Sequence, residues 1–236
     1  MTKMILFLIA LTFSQLAIAQ KIFPLESLTR DEINLLENGH LIQKIKEIED
    51  SAWPEITNYL LVEAEALESM AIFSALDYQH EYVPNLLKSK PIKHLSAVEV
   101  LTEYEMHVPF PLSNARYIHG SIVHQYDNDF ELTWYKVEST STEIVSGSAY
   151  FSPYHNKDKT KNSTLFRYRS YIKPKSILGS MVKKIMLNDV QKSILAIRSH
   201  IEKLKKENSP LLSKYSLFIT NALHGVFVYK DIILKD

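Results

Sequence analysis

Five apolar-alternating stretches follow one another between Ile92 and Ile172, and an amphipathic segment of more than thirty residues comes directly after them. The stretches run over 92–108, 117–126, 130–138, 142–151 and 164–172. Each break carries a turn signal: Pro109 with Pro111, then "YDND", "ESTST" and "PYHNKDKTKN". Short turns between successive strands make an antiparallel meander. The segment "SILGSMVKKIMLNDVQKSILAIRSHIEKLKKE" places Leu178, Met181, Ile185, Val190, Ile194, Ile197, Ile201 and Leu204 near one stripe of a helix. A sheet followed by one long striped helix must lay that helix against a face, so the fold class expected is α+β.

Upstream, Thr29 and Glu32 have capping-box spacing and Gly39 supplies a stop, which predicts a short helix. "HLIQKIKEI" reads as a strand without a clean face, and "EITNYLLVEAE" from Glu55 as a better one. From Glu65, Leu67, Met70, Ile72, Phe73 and Leu76 recur at helical spacing up to Pro84. The tail after Ser209-Pro210 reads as a short helix and a strand.

The first residues are of another kind. "MILFLIALTF" from Met4 to Phe13, followed by Ala17 and Ala19 in small-x-small spacing, has the form of a secretory signal cleaved before Gln20. A membrane anchor is the other reading, but the apolar run falls short of the roughly 20 residues a spanning helix needs. Of the 236 residues, removal of the first 19 leaves 217, enough for one large domain. The division expected is a signal peptide over 1–19, a lead-in segment over 20–50, a main domain over 51–208 and an extension over 209–236. The protein is expected to be exported, to the periplasm or beyond.

Composition closes several routes to chemistry. There are no cysteines, so disulfides, thiol nucleophiles and thiolate metal sites are excluded together. The 27 basic and 27 acidic residues balance, which gives no reason to expect nucleic acid. The five glycines are all far apart, so phosphate-cradling loops of the nucleotide-binding types are absent and no cofactor is expected. His80 in "HEYVP" lacks the second histidine of a zinc helix, and His119 and His124 lie five apart, on opposite faces of a strand. His107, His119 and His124 could meet only from neighbouring strands, and His107 falls on a polar face; no metal site is expected. Alternation also sends Glu103 outward, which counts against an acid–base pair of Glu103 with His124.

The blocks "FSALDYQHEYVPNLLKSK", "VPFPLSNARY", "FELTWYKVES", "GSAYFSP" and "TLFRYRSYIKP" resemble, in order and spacing, the START-like (SRPBCC) superfamily, in its bacterial lipid-transport and polyketide-cyclase branch. The resemblance covers about Ile56 to Lys205. It implies a helix-grip fold, in which a curved antiparallel sheet wraps a long C-terminal helix around an apolar cavity. It further implies a hydrophobic ligand (a lipid, sterol, quinone or polyketide-like molecule) and transient contact with a membrane. Non-enzymatic carriage is the expectation. A cyclase-type enzyme using the same cavity and a packed interaction module without ligand are the alternatives.

Period-two alternation then nominates the wall. Tyr104, Met106 and Phe110 share a face, as do Ile118 with Ile122, Leu132 with Trp134, and Phe166 with Tyr168; Met181 and Ile185 face them from the helix. Tyr104, Trp134 and Tyr168 join an apolar body to a polar tip, the kind of side chain that orients a guest. Val108 and Phe110 precede prolines and are held extended, making the Pro-Phe-Pro corner a rim. Arg116 just beyond it is a candidate for an anionic headgroup, with a salt bridge bracing the turn as the competing role.

Overall fold

The structure, a computed structural model, describes residues 27–49, 51, 53–108, 113–155, 162–175 and 179–232. The 109–112 corner, and with it Phe110, lies outside the described residues, as does the leader over 1–19. The side chain of Met181 is likewise outside them.

Eight strands form one sheet: β1 (Ile42–Lys46), β2 (Glu55–Val62), β3 (Leu86–His94), β4 (Glu99–Met106), β5 (Ala115–Tyr126), β6 (Asp129–Ser139), β7 (Thr142–Tyr154) and β8 (Ser163–Pro174). They pair antiparallel in the order β1-β2-β8-β7-β6-β5-β4-β3. The six strands from β3 onward are a plain meander, and the N-terminal hairpin attaches to the last of them through β2–β8 pairing. Irregular register in the β3–β4, β5–β6 and β7–β8 pairs marks bulges, which deepen the twist and curl the sheet around its inner face.

Among the described residues, four α-helices accompany the sheet. Helix α1 (Arg30–Glu37) carries the full capping box between Thr29 and Glu32, and Gly39 takes a φ of +85° past its end. Helix α2 (Ala66–Phe73) buries Ala66, Ser69, Met70, Ala71, Ile72 and Phe73. A helix apolar over most of its surface belongs in the interior, and α2 lies against β6, β7 and β8. Helix α3 (Gly179–Lys206) is the long one, and α4 (Pro210–Leu223), started by Ser209 accepting from the Leu211 amide, packs chiefly on α2.

Two sequence expectations change. The stretch from Ile92 to Val108 is not one strand but the end of β3, a turn and β4; the Leu95 and Ser96 amides both close the turn on the Glu99 carbonyl. That turn contains neither glycine nor proline, so alternation runs through it unbroken. The tail contains no strand among the described residues. Instead Phe227 and Tyr229 pack on the ring of buried His94, 5.1 and 5.8 Å away. His94 Nδ1 donates to the Ser96 carbonyl at 3.0 Å while Nε2 accepts the Tyr229 amide at 3.2 Å. The core continues past Asn208. Leu212, Tyr215 and Ile219 of α4 share one cluster with Phe73, Phe151, Phe166 and the α3 residues Ile194, Ile197, Ile201 and Leu204.

The grip of α3 is therefore uneven. One face of its C-terminal half is buried, through Ile194, Ile197, Ile201 and Leu204, whereas Ile185 on the N-terminal half of the same stripe is 45% exposed. Helices α2 and α4 occupy the space that a single long helix was expected to cover.

Candidate functional site

Strand register decides which side chains line the interior. In β4, Val100, Thr102 and Tyr104 point inward and are buried. Directly paired residues of antiparallel strands project to the same face. The pairs Tyr104 with Tyr117, Thr102 with His119 and Val100 with Ser121 thus place Tyr117, His119 and Ser121 on the inner face of β5. Ser121 with Trp134, Leu132 with Ala149 and Ala149 with Tyr168 carry that face on through β6, β7 and β8.

Of these, Tyr104, Tyr117, His119, Ser121, Leu132, Trp134 and Tyr168 border a cavity of about 150 Å³, open on one side. Its floor is Leu132, Trp134 and Tyr168; one wall is Tyr104, Tyr117, His119 and Ser121. The roof comes from the end of α2 and the turn beyond it, through Phe73, Leu76 and Gln79. Gln79 is fixed at both ends of its amide: Nε2 donates to the Phe73 carbonyl at 2.6 Å, and Oε1 accepts from the Tyr104 hydroxyl at 3.0 Å. A smaller space of about 30 Å³ adjoins, sharing Leu76, Ser121 and Leu132 and otherwise lined by apolar groups such as Val100, Val123 and Ile219.

The walls are mostly ring faces. Trp134 and Tyr168 stand 5.3 Å apart, Tyr104 and Tyr117 stack at 5.3 Å, and Tyr117 and His119 lie at 4.4 Å. Trp134 reaches this position because its partner across the β6–β7 pair is Gly147. A Cβ there would come within 2.4 Å of the indole and of the Arg169 carbonyl.

Electrostatically the cavity is neutral. Among the described residues its lining holds no carboxylate, ammonium or guanidinium. Burial pushes the Tyr104 and Tyr117 hydroxyls well above their ordinary range and raises that of Tyr168, and it pulls His119 down to about 4. One polar atom of the lining residues, His119 Nε2, is buried and makes no hydrogen bond within the protein.

Of the residues nominated from sequence, Tyr104, Leu132, Trp134 and Tyr168 meet in this cavity. Phe166 stands behind the lining, fully buried, stacked on Phe151 at 4.6 Å and 5.4 Å from Phe73. Met106 ends β4 opposite Ala115, half-buried and beyond the lining. Arg116, Ile118 and Ile122 belong to the opposite, outer face, since the register turns their odd-numbered neighbours Tyr117, His119 and Ser121 inward. The Arg116 side chain is 68% exposed and its Nε donates to Glu105 Oε2 at 3.2 Å, the bracing role rather than the headgroup role. The sequence reading of β5 chose its more apolar face, whereas the cavity takes the one with polar tips.

Glu103 pairs with Lys88 at 2.7 Å and His124 lies within 3.3 Å of Thr133 Oγ1, so no acid–base couple joins them. His107 approaches Asn114 rather than His119, and no cluster of metal-ligating side chains occurs among the described residues.

No protein-family model matches the chain, and no curated protein matches it. Solved structures do. Human STARD10 superposes with a TM-score of 0.61 at 14% identity, over 78% of this chain and 76% of that one. A STAR-related lipid transfer protein from Xanthomonas axonopodis gives 0.58 at 15% identity, over 68% and 93%. Human StAR-related lipid transfer protein 5 gives 0.58 at 9% identity, over 71% and 84%. The chain has the START-like helix-grip fold.

Proposed function

We propose that this chain is a non-enzymatic binder or carrier of a hydrophobic molecule, held between the inner face of the sheet and the α2 end of the roof. The observation that carries the reading is the 150 Å³ cavity with ring walls and polar tips. A packed scaffold buries its aromatic rings against one another and leaves no such space. Structures with this fold include proteins described as lipid transfer proteins, which supports a greasy guest.

A space of this size holds one six-membered ring, as an engineered apolar cavity of similar volume does. A whole lipid needs several hundred Å³, so a longer guest is held by its ring or end while the rest leaves through the open side or spreads the neighbouring apolar space. Each methylene so buried contributes about 0.8 kcal/mol. The polar part of the lining consists of Gln79, Ser121, three tyrosines and a neutral histidine, with no facing acid and base. That favours binding over cyclase chemistry, which needs a proton donor and acceptor placed together.

Export belongs to the same proposal, on the strength of the apolar run from Met4 to Phe13 and the Ala17, Ala19 spacing. The test is organic extraction and mass spectrometry of protein purified from its own exported fraction, together with displacement of a fluorescent hydrophobic probe. A stoichiometric apolar molecule, displaced by competitors, is the expected result. Extracts identical to buffer blanks, with no probe binding by the purified chain, would remove the carrier reading.

A further inference from the structure

The segment after α4 is tied to the sheet through one histidine, and the tie depends on that histidine's charge. We infer that residues 226–232 form a strap, held shut by neutral His94 and let go when the ring takes up a second proton, which opens the small apolar space beneath.

Past α4, Gly225 takes a φ of +82°, and the chain runs back against the end of β3. Val228 and Tyr229 there border the space of about 30 Å³ that shares Leu76, Ser121 and Leu132 with the larger cavity. The Tyr229 hydroxyl donates to Asp77 Oδ1 at 3.4 Å, in the turn between the roof residues Leu76 and Gln79.

The strap's hold is slight. Phe227, Val228 and Tyr229 are half-buried, and Val226 and Lys230 are exposed. The Val226 amide closes α4 on the Asn221 carbonyl, and the Ile232 amide bonds to the Tyr229 carbonyl within the strap. Among the described residues, the main-chain tie from 227–232 to the sheet is the Tyr229 amide on His94 Nε2, at 3.2 Å.

The partners of His94 fix its protonation. A carbonyl only accepts, so Nδ1 carries the hydrogen it gives to Ser96. A backbone amide only donates, so Nε2 is bare. The ring is fully buried. A proton added at Nε2 would face the Tyr229 N–H, leaving two donors without an acceptor and a buried charge without a partner. Charged ring and closed strap exclude each other.

No neighbouring charge offsets this. Lys93 beside the ring on β3, and Lys230 and Asp231 on the strap, are exposed. Glu99 of β4 accepts the Tyr135 hydroxyl at 2.6 Å, and Asp77 meets Tyr229. On α4, Lys214 lies over the Tyr215 and Phe218 rings, and His224 bonds the Thr220 carbonyl. Burial holds the His94 ring below its ordinary 6.5, against the smaller opposing effect of the Ser96 carbonyl. The released ring therefore binds the proton more readily than the strapped one, and acid favours release. That the opened space then admits a guest to the adjoining cavity rests on the carrier reading; the latch itself does not.

The chain has no cysteine, so a nitroxide on Lys230→Cys reports the strap alone. From about pH 7.5 to about 4.5 the ratio of mobile to immobile label should rise by up to about tenfold per pH unit once the ring titrates. A label at Leu87→Cys on β3 and the near-ultraviolet circular dichroism should stay unchanged. His94→Gln, whose amide oxygen accepts the Tyr229 N–H at every pH, should keep the strap shut. Nitrogen-15 NMR of the unaltered protein should show Nε2 of His94 bare near neutral pH and titrating together with the label. A label that stays immobile at the acid end, a release shared by the Gln variant, an Nε2 protonated near neutral pH, or a strap freed only as the whole chain unfolds each overturns the latch. Uptake of the neutral fluorescent probe N-phenyl-1-naphthylamine separates the latch from the carrier reading. Faster uptake on release supports both. Release with uptake unchanged overturns the strap as a door, and release with no probe bound at any pH overturns the carrier reading while the latch stands.

Discussion

Gly147 and Gly120 offer a matched pair of perturbations on opposite faces of one sheet. At Gly147 an added methyl would sit 2.4 Å from the Trp134 indole and 2.4 Å from the Arg169 carbonyl oxygen. Ordinary contact begins near 3.4 Å, so about 1 Å must be found. The carbonyl belongs to β8, whose pairing with β7 fixes it, so the indole has to give way, and it can move only into the cavity. Overpacking of this kind costs about 1–3 kcal/mol, and the upper half of that range applies because backbone is one of the two obstacles. At Gly120 the atoms nearest the methyl would all be at the tip of the Tyr135 ring, at 2.2–2.5 Å. Tyr135 can swing outward, giving up its 2.6 Å hydrogen bond to Glu99, for about 1 kcal/mol. Urea unfolding of Gly147→Ala and Gly120→Ala measures both costs, and titration with a ring ligand reads the cavity. The expected outcome is that Gly147→Ala loses about 2 kcal/mol and most of its ligand affinity, while Gly120→Ala loses about half as much stability and binds normally. If Gly147→Ala keeps parental stability and affinity, or if the two variants lose affinity alike, Trp134 does not form the cavity floor as described.

Protonation supplies a second check. His119 falls from 6.5 to about 4 on folding, so the unfolded chain binds the extra proton between those values and stability declines as pH falls from about 6.5 toward 4. The loss from this group is about 3 kcal/mol by pH 4; His119→Gln should lack that part of the acid sensitivity, and an unchanged pH profile of its unfolding midpoint refutes it. Tyr104→Phe removes the donor to Gln79 and should cost about 1 kcal/mol. Amide exchange in 76–82 should quicken, and unaltered exchange there means that the roof is held elsewhere. Tyr215→Ala opens the core where α4 meets Tyr78, 5.8 Å away, and should cost about 3 kcal/mol or more by chemical denaturation. A loss below 1 kcal/mol would show the tail to be dispensable to the core.

The elements that read clearly in the sequence are those whose cause is local. Thr29, Glu32 and Gly39 specify α1 within a dozen residues, and the hairpin of β5 and β6 turns at Asp127, which takes a φ of +54°. The stripe of α3 was legible because a 3.6-residue period needs no knowledge of a partner, yet the same stripe could not say that Ile185 stays exposed while Ile201 is sealed. The β3–β4 turn leaves no mark in the sequence, because "LSAVEV" holds no local breaker. Tyr104, Trp134 and Tyr168 could be nominated because each joins an apolar body to a polar tip, and all three reach the cavity. Tyr117, His119 and Ser121 could not, because ranking by hydrophobicity prefers Ile118 and Ile122 one step away. Carrying the inward set of β4 across the strand pair would have found them, but only with the register in hand.

Sequence alone determined the class of the fold: alternation sets strands, short turns set their antiparallel order, and the long stripe sets a helix against them. Tertiary structure alone decided which face of β5 is interior, which helices roof the cavity and how large the hollow is. A period of two gives each strand two faces but no sign for them. Only pairing with a neighbour, and the bodies pressed against the sheet, assign one face to the guest and the other to water.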